Sequence, residues 1–267
     1  MKADPLLEAY ERLRVFVPTQ LPPRWTVERD GPVVRLIEPN GMGHVCYTAF
    51  GELSDGVPDE LILRERELFA ERGAPVEWML HGHDLPADLP DRLRAFGFTP
   101  TVDGTVMVEK VGEIARLDPT PAPGIQLREV TEKEDFKRIA ALYNDVWGFD
   151  HTMTMAGLRR EQRDLPDAIT IVAAQTTEGE IVSAGWVRFV PGSGFAMLWG
   201  GSTAAAWRGR GIYRALVAYR ARLAERRGYD HVQVTASQES RPILDRLGMV
   251  AVTTAMPHLW TPEKGDQ

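Results

Sequence analysis

Residues 195–227, FAMLWGGSTAAAWRGRGIYRALVAYRARLAERR, constrain most strongly what this chain can fold into. Residues 195–199 have the apolar continuity of a buried strand, residues 200–206 are small, and Arg208-Gly209-Arg210-Gly211 leads into a helical period. Ile212, Leu216, Tyr219 and Leu223 share one face of that helix, with Arg214, Arg220, Arg222, Arg226 and Arg227 mostly off it. Such a helix begins with amide N–H groups that have no intrahelical partner, and its dipole adds positive potential there. Gly209 and Gly211 can take positive φ and let an anion approach the main chain, while Arg208 and Arg210 add charge. Three or four charge-assisted hydrogen bonds, roughly 1.5–3 kcal/mol each, would hold a diphosphate firmly. A purely structural turn explains the glycines equally well. The motif is no Walker loop, since no Gly-Lys-Ser/Thr follows, and it lacks the third glycine of a dinucleotide fingerprint.

Arg208-Gly209-Arg210-Gly211-Ile212-Tyr213 resembles the R/Q-x-x-G-x-G/A pyrophosphate loop of the GNAT acetyltransferases, which bind acetyl-coenzyme A. Downstream, Ser237-Gln238-Glu239-Ser240, Leu244, Leu247 and Gly248-Met249 are similar to the family's fourth-helix segment, usually closed by Gly-Phe. The two motifs stand in the family's order, and the resemblance covers about residues 124–259. It implies direct acetyl transfer in a ternary complex, from acetyl-CoA as cosubstrate to an amine of a small molecule or peptide. It further implies that Gly201, Ser202 and Thr203 hold the pantetheine, that Arg208, Gly209, Arg210, Gly211, Ile212 and Tyr213 hold the diphosphate, and that Ser237 and Ser240 lie near the distal pantetheine. Three positions depart from the pattern. Tyr213 stands where Gly or Ala is usual, Ser237 where Asn is common, and Leu244 where many members carry a tyrosine acid.

In the resembled family the connection between the first two helices lines the acceptor pocket. Asp145, Asp150 and His151 are therefore candidates for acceptor contact, and Asp150 and His151 for the catalytic base; a helix end and a solvated loop is the competing reading. An amine of pKa ~10.4 costs about 4.6 kcal/mol to deprotonate at pH 7, against about 2 kcal/mol for a thiol of pKa ~8.5 to leave as thiolate. The base therefore matters more than the acid, and proximity in a ternary complex offsets part of either cost. A non-catalytic acyl-CoA-binding or regulatory module is the alternative, favoured by Leu244. A protein-interaction scaffold that binds no nucleotide is the third.

The whole chain narrows the setting. Its 267 residues suit one large or two ordinary domains, and 43% hydrophobic residues suffice for a core. A net charge of −7 argues against nucleic acid as partner. The single cysteine, Cys46, permits no intramolecular disulfide and reads as a small buried hydrophobe rather than a nucleophile. No secretory leader and no apolar run approaching ~20 residues is evident, so the expectation is a cytoplasmic protein without membrane partners.

Residues 5–17 read as a helix with charges off its apolar side, ended by the Pro-rich residues 18–23. Residues 25–37 and 43–50 have strand composition joined through Asn40-Gly41. A helix over 60–72 is closed by Gly73. From there an internal repeat emerges: residues 68–98 echo residues 223–249 as helix, strand, helix and Gly-Phe or Gly-Met. Where the first copy should have a phosphate loop it has Asp55-Gly56-Val57-Pro58-Asp59-Glu60, whose carboxylates repel a diphosphate and whose proline removes a donor. His81-Gly82-His83-Asp84 lacks further metal ligands, so no metal site is expected.

Residues 111–124, with Pro119, Pro121 and Pro123, read as a stiff extended linker. In the second half the expected elements are a strand over 125–130, a capping box from Thr131 and Glu134, a helix burying Phe136, Ile139, Ala140, Leu142 and Tyr143, a helix over 156–164, and strands over 168–175, 181–190 and 230–236. The resulting expectation is an α/β protein of two GNAT-like mixed-sheet domains in tandem. The first, residues 1–112, is truncated and degenerate; residues 113–124 link it to the catalytic N-acetyltransferase domain, 125–267. The degenerate copy is expected to shape the acceptor groove or the interface of a homodimer.

Overall fold

A computed structural model describes residues 4–19, 21–22, 24–49 and 52–262. Gln20 and Pro23 of the Pro-rich stretch, Phe50 at the end of the expected second strand, and Gly51 lie outside the described residues.

The chain begins with α1 (Pro5–Arg14), whose N-cap Asp4 accepts from the Leu6 amide while Pro5 occupies the first turn. It stops three residues short of the expected end. Its buried face carries Glu11 and Arg14 together with Ala9 and Tyr10, so these charges are not on the solvent side. The expected strand over 25–37 is a tight hairpin, β1 (Thr26–Asp30) and β2 (Val33–Ile37), turning at Gly31 with φ +55°. Asn40-Gly41 joins β2 to the short β3 (Gly43–Cys46). Then come α2 (Asp59–Glu71), β4 (Val76–Trp78), α3 (Leu89–Ala95), β5 (Thr99–Pro100) and β6 (Gly104–Lys110). The linker expected over 111–124 opens instead as the helix α4 (Val111–Ala115), because Val111, Ile114 and Ala115 have a core to enter.

The second half runs β7 (Ile125–Glu129), α5 (Lys133–Trp147), α6 (Thr152–Asp164), β8 (Ile169–Thr176), β9 (Ile181–Val190) and β10 (Phe195–Thr203). It continues through α7 (Ile212–Arg226), β11 (His231–Ala236), α8 (Arg241–Arg246), β12 (Val250–Ala255) and β13 (His258–Trp260). α5 buries the five expected side chains, but the Thr131 capping box is absent: the N-cap is Glu132, with no side-chain cap bond. α6 starts four residues earlier than expected.

As expected, the architecture is mixed α/β with two mixed sheets. One sheet has the order β1-β2-β3-β4-β13-β5 and the other β12-β6-β11-β10-β9-β8-β7. Two contiguous domains parted by a linker do not describe this chain. One compact unit comprises residues 1–106, 236–238 and 251–267, the other residues 107–235 and 239–250. The chain's last strand, β13, completes the first sheet, pairing antiparallel with both β4 and β5. It brings buried His258, and Trp260 packs on the core around Trp78, Phe98 and Leu93. Ending the chain after Ala255 is therefore expected to lower the melting temperature by about 10 °C, the equivalent of about 3–5 kcal/mol, measured by circular dichroism.

The strand inside each copy of the repeat, β4 and β11, has a parallel neighbour that precedes the copy in sequence. β3 runs parallel to β4 over three residue pairs, and β10 runs parallel to β11 over three. Among the described residues no helix is long and apolar enough to cross a membrane.

Candidate functional site

The site lies in the second unit, where β10 leaves β11. Parallel pairing covers only Phe195–Met197 against His231–Gln233, although β10 extends to Thr203. On its other edge β10 stays paired with β9, through a register shift between Trp199 and Ser202. The strand thus continues through the small residues that sequence alone placed after it. A strand paired on one side and parted on the other leaves its main chain open to a ligand that can extend the sheet.

The irregular turn around Gly200 and Gly201 is held from several directions. Tyr143 of α5 donates its hydroxyl to the Gly200 carbonyl, and the Trp147 indole N–H donates to Ser202 Oγ at 2.9 Å. Ser183 Oγ donates to the Ser202 carbonyl at 2.7 Å. A Cβ on Gly200 would meet the Trp186 ring at 2.0 Å, and one on Gly201 the Tyr213 ring at 2.6 Å, so both positions require glycine. The Trp186 Nε1–H is buried with no acceptor among the described residues. Tyr213 bonds Ser240 through its hydroxyl, and burial raises its pKa.

Beyond β10 a single 3₁₀ turn, Ala205–Trp207, delivers the chain to the glycine loop. Gly209 and Gly211 both have φ +75°, and Gly211 is the N-cap of α7, without any side-chain cap bond. A Cβ at either glycine would meet nothing within 4 Å, so their positive φ leaves the loop's outer surface clear. Among the described residues the amides of Gly209, Arg210, Gly211, Ile212 and Tyr213 find no protein acceptor. That is the donor cradle an anion needs. Arg208 donates to the Thr203 carbonyl at 3.2 Å, and Arg210 lies over the Trp207 ring at 4.6 Å. Both arginines are exposed, with no carboxylate partner among the described residues. Ser237 follows β11, half-buried, and Ser240 is the N-cap of α8. Leu244, where the resembled pattern has a tyrosine, is fully buried on α8.

The base candidates differ in geometry. Asp150 is exposed, and its Oδ1 accepts from both the hydroxyl and the amide of Thr152, which lowers its pKa. It serves the turn into α6, and a carboxylate acidified this way is a weak base. His151 stacks on Phe149 at 4.2 Å and lies tilted 5.6 Å from Tyr143, the residue bound to Gly200. Its Nδ1 sits 2.9 Å from the Phe149 carbonyl, which can only accept, so Nδ1 carries the proton. Its Nε2 has no protein partner among the described residues. Asp145 is exposed on the last turn of α5.

Sequence reasoning missed several residues around the bulge: Tyr143 as a hydrogen-bond donor, Trp147, Trp186 and above all Arg220. Arg220 was read as lying off the apolar stripe of α7, yet it is 1% exposed. The signal was its spacing, since it follows Ile212 and Leu216 at successive intervals of four, on the face that turns inward.

In the first unit the matching place is filled. The Ala49 amide, shortly after β3, donates to Glu11 at 2.8 Å, and Tyr47 donates its hydroxyl to Asp84 at 2.5 Å. Arg14 bridges Glu11 and Asp84 at 2.8 and 2.9 Å. His81 and His83 join this network, their ring nitrogens bonding Met79, Tyr10, Glu11 and Thr253. Cys46 is half-buried in β3, and burial pushes its thiol up to about 11.

Residues 136–249 match the Acetyltransferase (GNAT) family. No curated protein matches the chain. Among solved structures it is similar to a GCN5-related N-acetyltransferase from Kribbella flavida, with TM-score 0.68 and 18% identity over 99% of this chain and 98% of that one. It is also similar to a tandem GNAT protein from the clavulanic acid biosynthesis pathway, with TM-score 0.63 and 13% identity over 99% and 97%. A third likeness is to a GCN5-related N-acetyltransferase from Sphaerobacter thermophilus, with TM-score 0.59 and 18% identity over 88% and 82%.

Proposed function

We propose that this chain is a tandem member of the acetyltransferase (GNAT) family and that its second unit is an acetyl-CoA-dependent N-acetyltransferase acting on an amine of a small molecule or peptide. The observation that carries the reading is the pairing of a parted, bulged β10 with an amide cradle at Gly209–Tyr213 that has no protein acceptor. Main-chain donors and Arg208 and Arg210 take the diphosphate, and the pantetheine lies along Gly201, Ser202 and Thr203 with Ser240 beside it.

The acceptor amine must lose a proton, and His151 Nε2 suits the task better than Asp150, which keeps a secondary role in holding the turn. The amine nitrogen attacks the thioester carbonyl, the C–N bond forms as the C–S bond breaks, and the sulfur leaves with the electron pair. The proton passes to His151 Nε2. Near the site, Trp147, Phe149 and Trp199 are exposed large apolar side chains, which favours an acceptor with an apolar body. Localisation in the cytoplasm and a homodimer are further parts of this reading, as are the absence of nucleic acid and of a membrane from its partners.

Buried Leu244 favours a second reading, a non-catalytic acyl-CoA-binding module. Calorimetric titration with acetyl-CoA followed by a free-thiol assay over an amine panel separates the two. The proposed enzyme binds one equivalent per chain and releases thiol; the module binds without release; no binding refutes both. His151→Ala is expected to lower kcat about 100-fold with acetyl-CoA affinity unchanged, in a steady-state assay on the best amine.

A further inference from the structure

A guanidinium without a counter-ion lies beneath the bulge. Arg220 donates from Nε to the Leu216 carbonyl at 3.1 Å, and from Nη1 to the carbonyls of Trp186 at 3.1 Å and Trp199 at 3.0 Å. No carboxylate among the described residues pairs with it, and its two N–H groups on Nη2 meet no protein acceptor there. Burying such a charge is costly unless something offsets it. Three carbonyl dipoles do so in part. Other buried arginines of this chain are treated differently: Arg14 is matched by Glu11 and Asp84, and Arg35 by Glu65.

The position of the unmatched charge is specific. Nη1 lies 2.8 Å from where a Gly185 Cβ would be, and Nη2 3.4 Å from where a Gly201 Cβ would be. Glycine on both strands therefore leaves nothing between the cation and the main chain of the bulge. Gly201 is where the proposed reading lays the acyl end of the pantetheine. On that same stretch, the departing thiolate needs either a proton or a positive charge. Leu244 supplies no proton, and the hydroxyls of Tyr143 and Tyr213 are engaged with Gly200 and Ser240.

We infer that Arg220 is the charge that stabilises the coenzyme A thiolate as the C–S bond breaks, while its bonds to the Trp186 and Trp199 carbonyls fix the bulge. The inference rests on the proposed acetyl-CoA site. A cation close to the sulfur favours the thiolate over the thiol, with no proton donated in the step. The amine proton still goes to the base, and the electron pair stays on sulfur.

The test is an ultraviolet titration of thiolate absorbance for coenzyme A bound to the full chain, beside free coenzyme A, with binding first established by calorimetry. In the wild type the bound thiol is expected to titrate about one pH unit or more below the free thiol. Arg220→Met, close in volume and apolar, should erase the difference, and Arg220→Lys should retain part of it. A wild-type shift of zero overturns the inference, and so does a shift that survives in Arg220→Met. Should the methionine variant not fold, the wild-type and lysine titrations decide. Failure of the wild type to bind coenzyme A at all removes the acetyl-CoA reading itself, a result distinguishable from binding with an unshifted thiol.

Discussion

Gly211→Val is expected to raise the Kd for coenzyme A at least 100-fold while moving the melting temperature by no more than a few degrees. Two effects act at this one residue. At φ +75° a β-branched side chain is strained by about 1–2 kcal/mol, which the loop relieves by turning its amides out of register. In addition, the new Cβ projects into the open space that a diphosphate would fill, since nothing of the protein lies within 4 Å of it. The strain alone accounts for about tenfold, so Gly211→Ala should show that smaller loss, and the added methyl groups of valine the rest. Isothermal titration with coenzyme A and with 3′-dephospho-coenzyme A reads the effect. Equal affinity for wild type and Gly211→Val would remove the loop from the site. Because Gly211 only caps α7, and Ile212, Leu216 and Leu223 remain buried, the helix keeps its packing.

How much of this was legible beforehand follows from what local chemistry can encode. The glycine loop and α7 could be read because a 3.6-residue period and two glycines are local signals, and Ile181–Val190 could be bounded to the residue for a similar reason. The course of β6 and β13 could not. Each is a short strand whose partners are set by the sheets that receive it, so nothing within Gly104–Lys110 or His258–Trp260 names those partners. The same limit hid the interior charges. Arg220 and Arg14 carry the residue type that usually marks solvent, and only their carbonyl and carboxylate neighbours, brought from distant segments, make burial tolerable. The prolines at 119, 121 and 123 were a real signal placed too early, since α4 forms before them. For the candidate site, the glycine loop was visible in the sequence, whereas the hydrogen bonds that set His151 apart from Asp150 are ones that sequence does not show.

The second large effect lies in the first unit, where Arg14→Met is expected to cost about 3–5 kcal/mol of stability, a large part of what a domain of this kind has. Glu11, Arg14 and Asp84 have side chains 1%, 3% and 0% exposed, so removing the guanidinium leaves two carboxylates facing each other out of water. Arg14→Lys keeps the charge but not the fork that reaches Glu11, Asp84 and the Met79 carbonyl together, and should fall between. The network also sets an acid limit. Burial, and secondarily Arg14, lowers His81 to about 3, and its neutral ring donates from Nδ1 to Met79 and accepts from Tyr10 at Nε2. An unfolded chain takes up that proton near pH 6.5 and the folded one does not until about 3, so stability contributed by neutral His81 is full above 6.5 and drains as pH falls. Glu11, held at about 2 by His83 and Arg14 against its burial, adds a second draining proton below about 4.5. His44 is raised by Glu77 and Glu38 and works in the opposite sense, losing its contribution as pH rises. Urea unfolding of the wild type and of His81→Gln isolates the His81 contribution. From pH 7 to pH 5 the wild type should lose about 2 kcal/mol more than the variant, and parallel losses would place the acid sensitivity elsewhere.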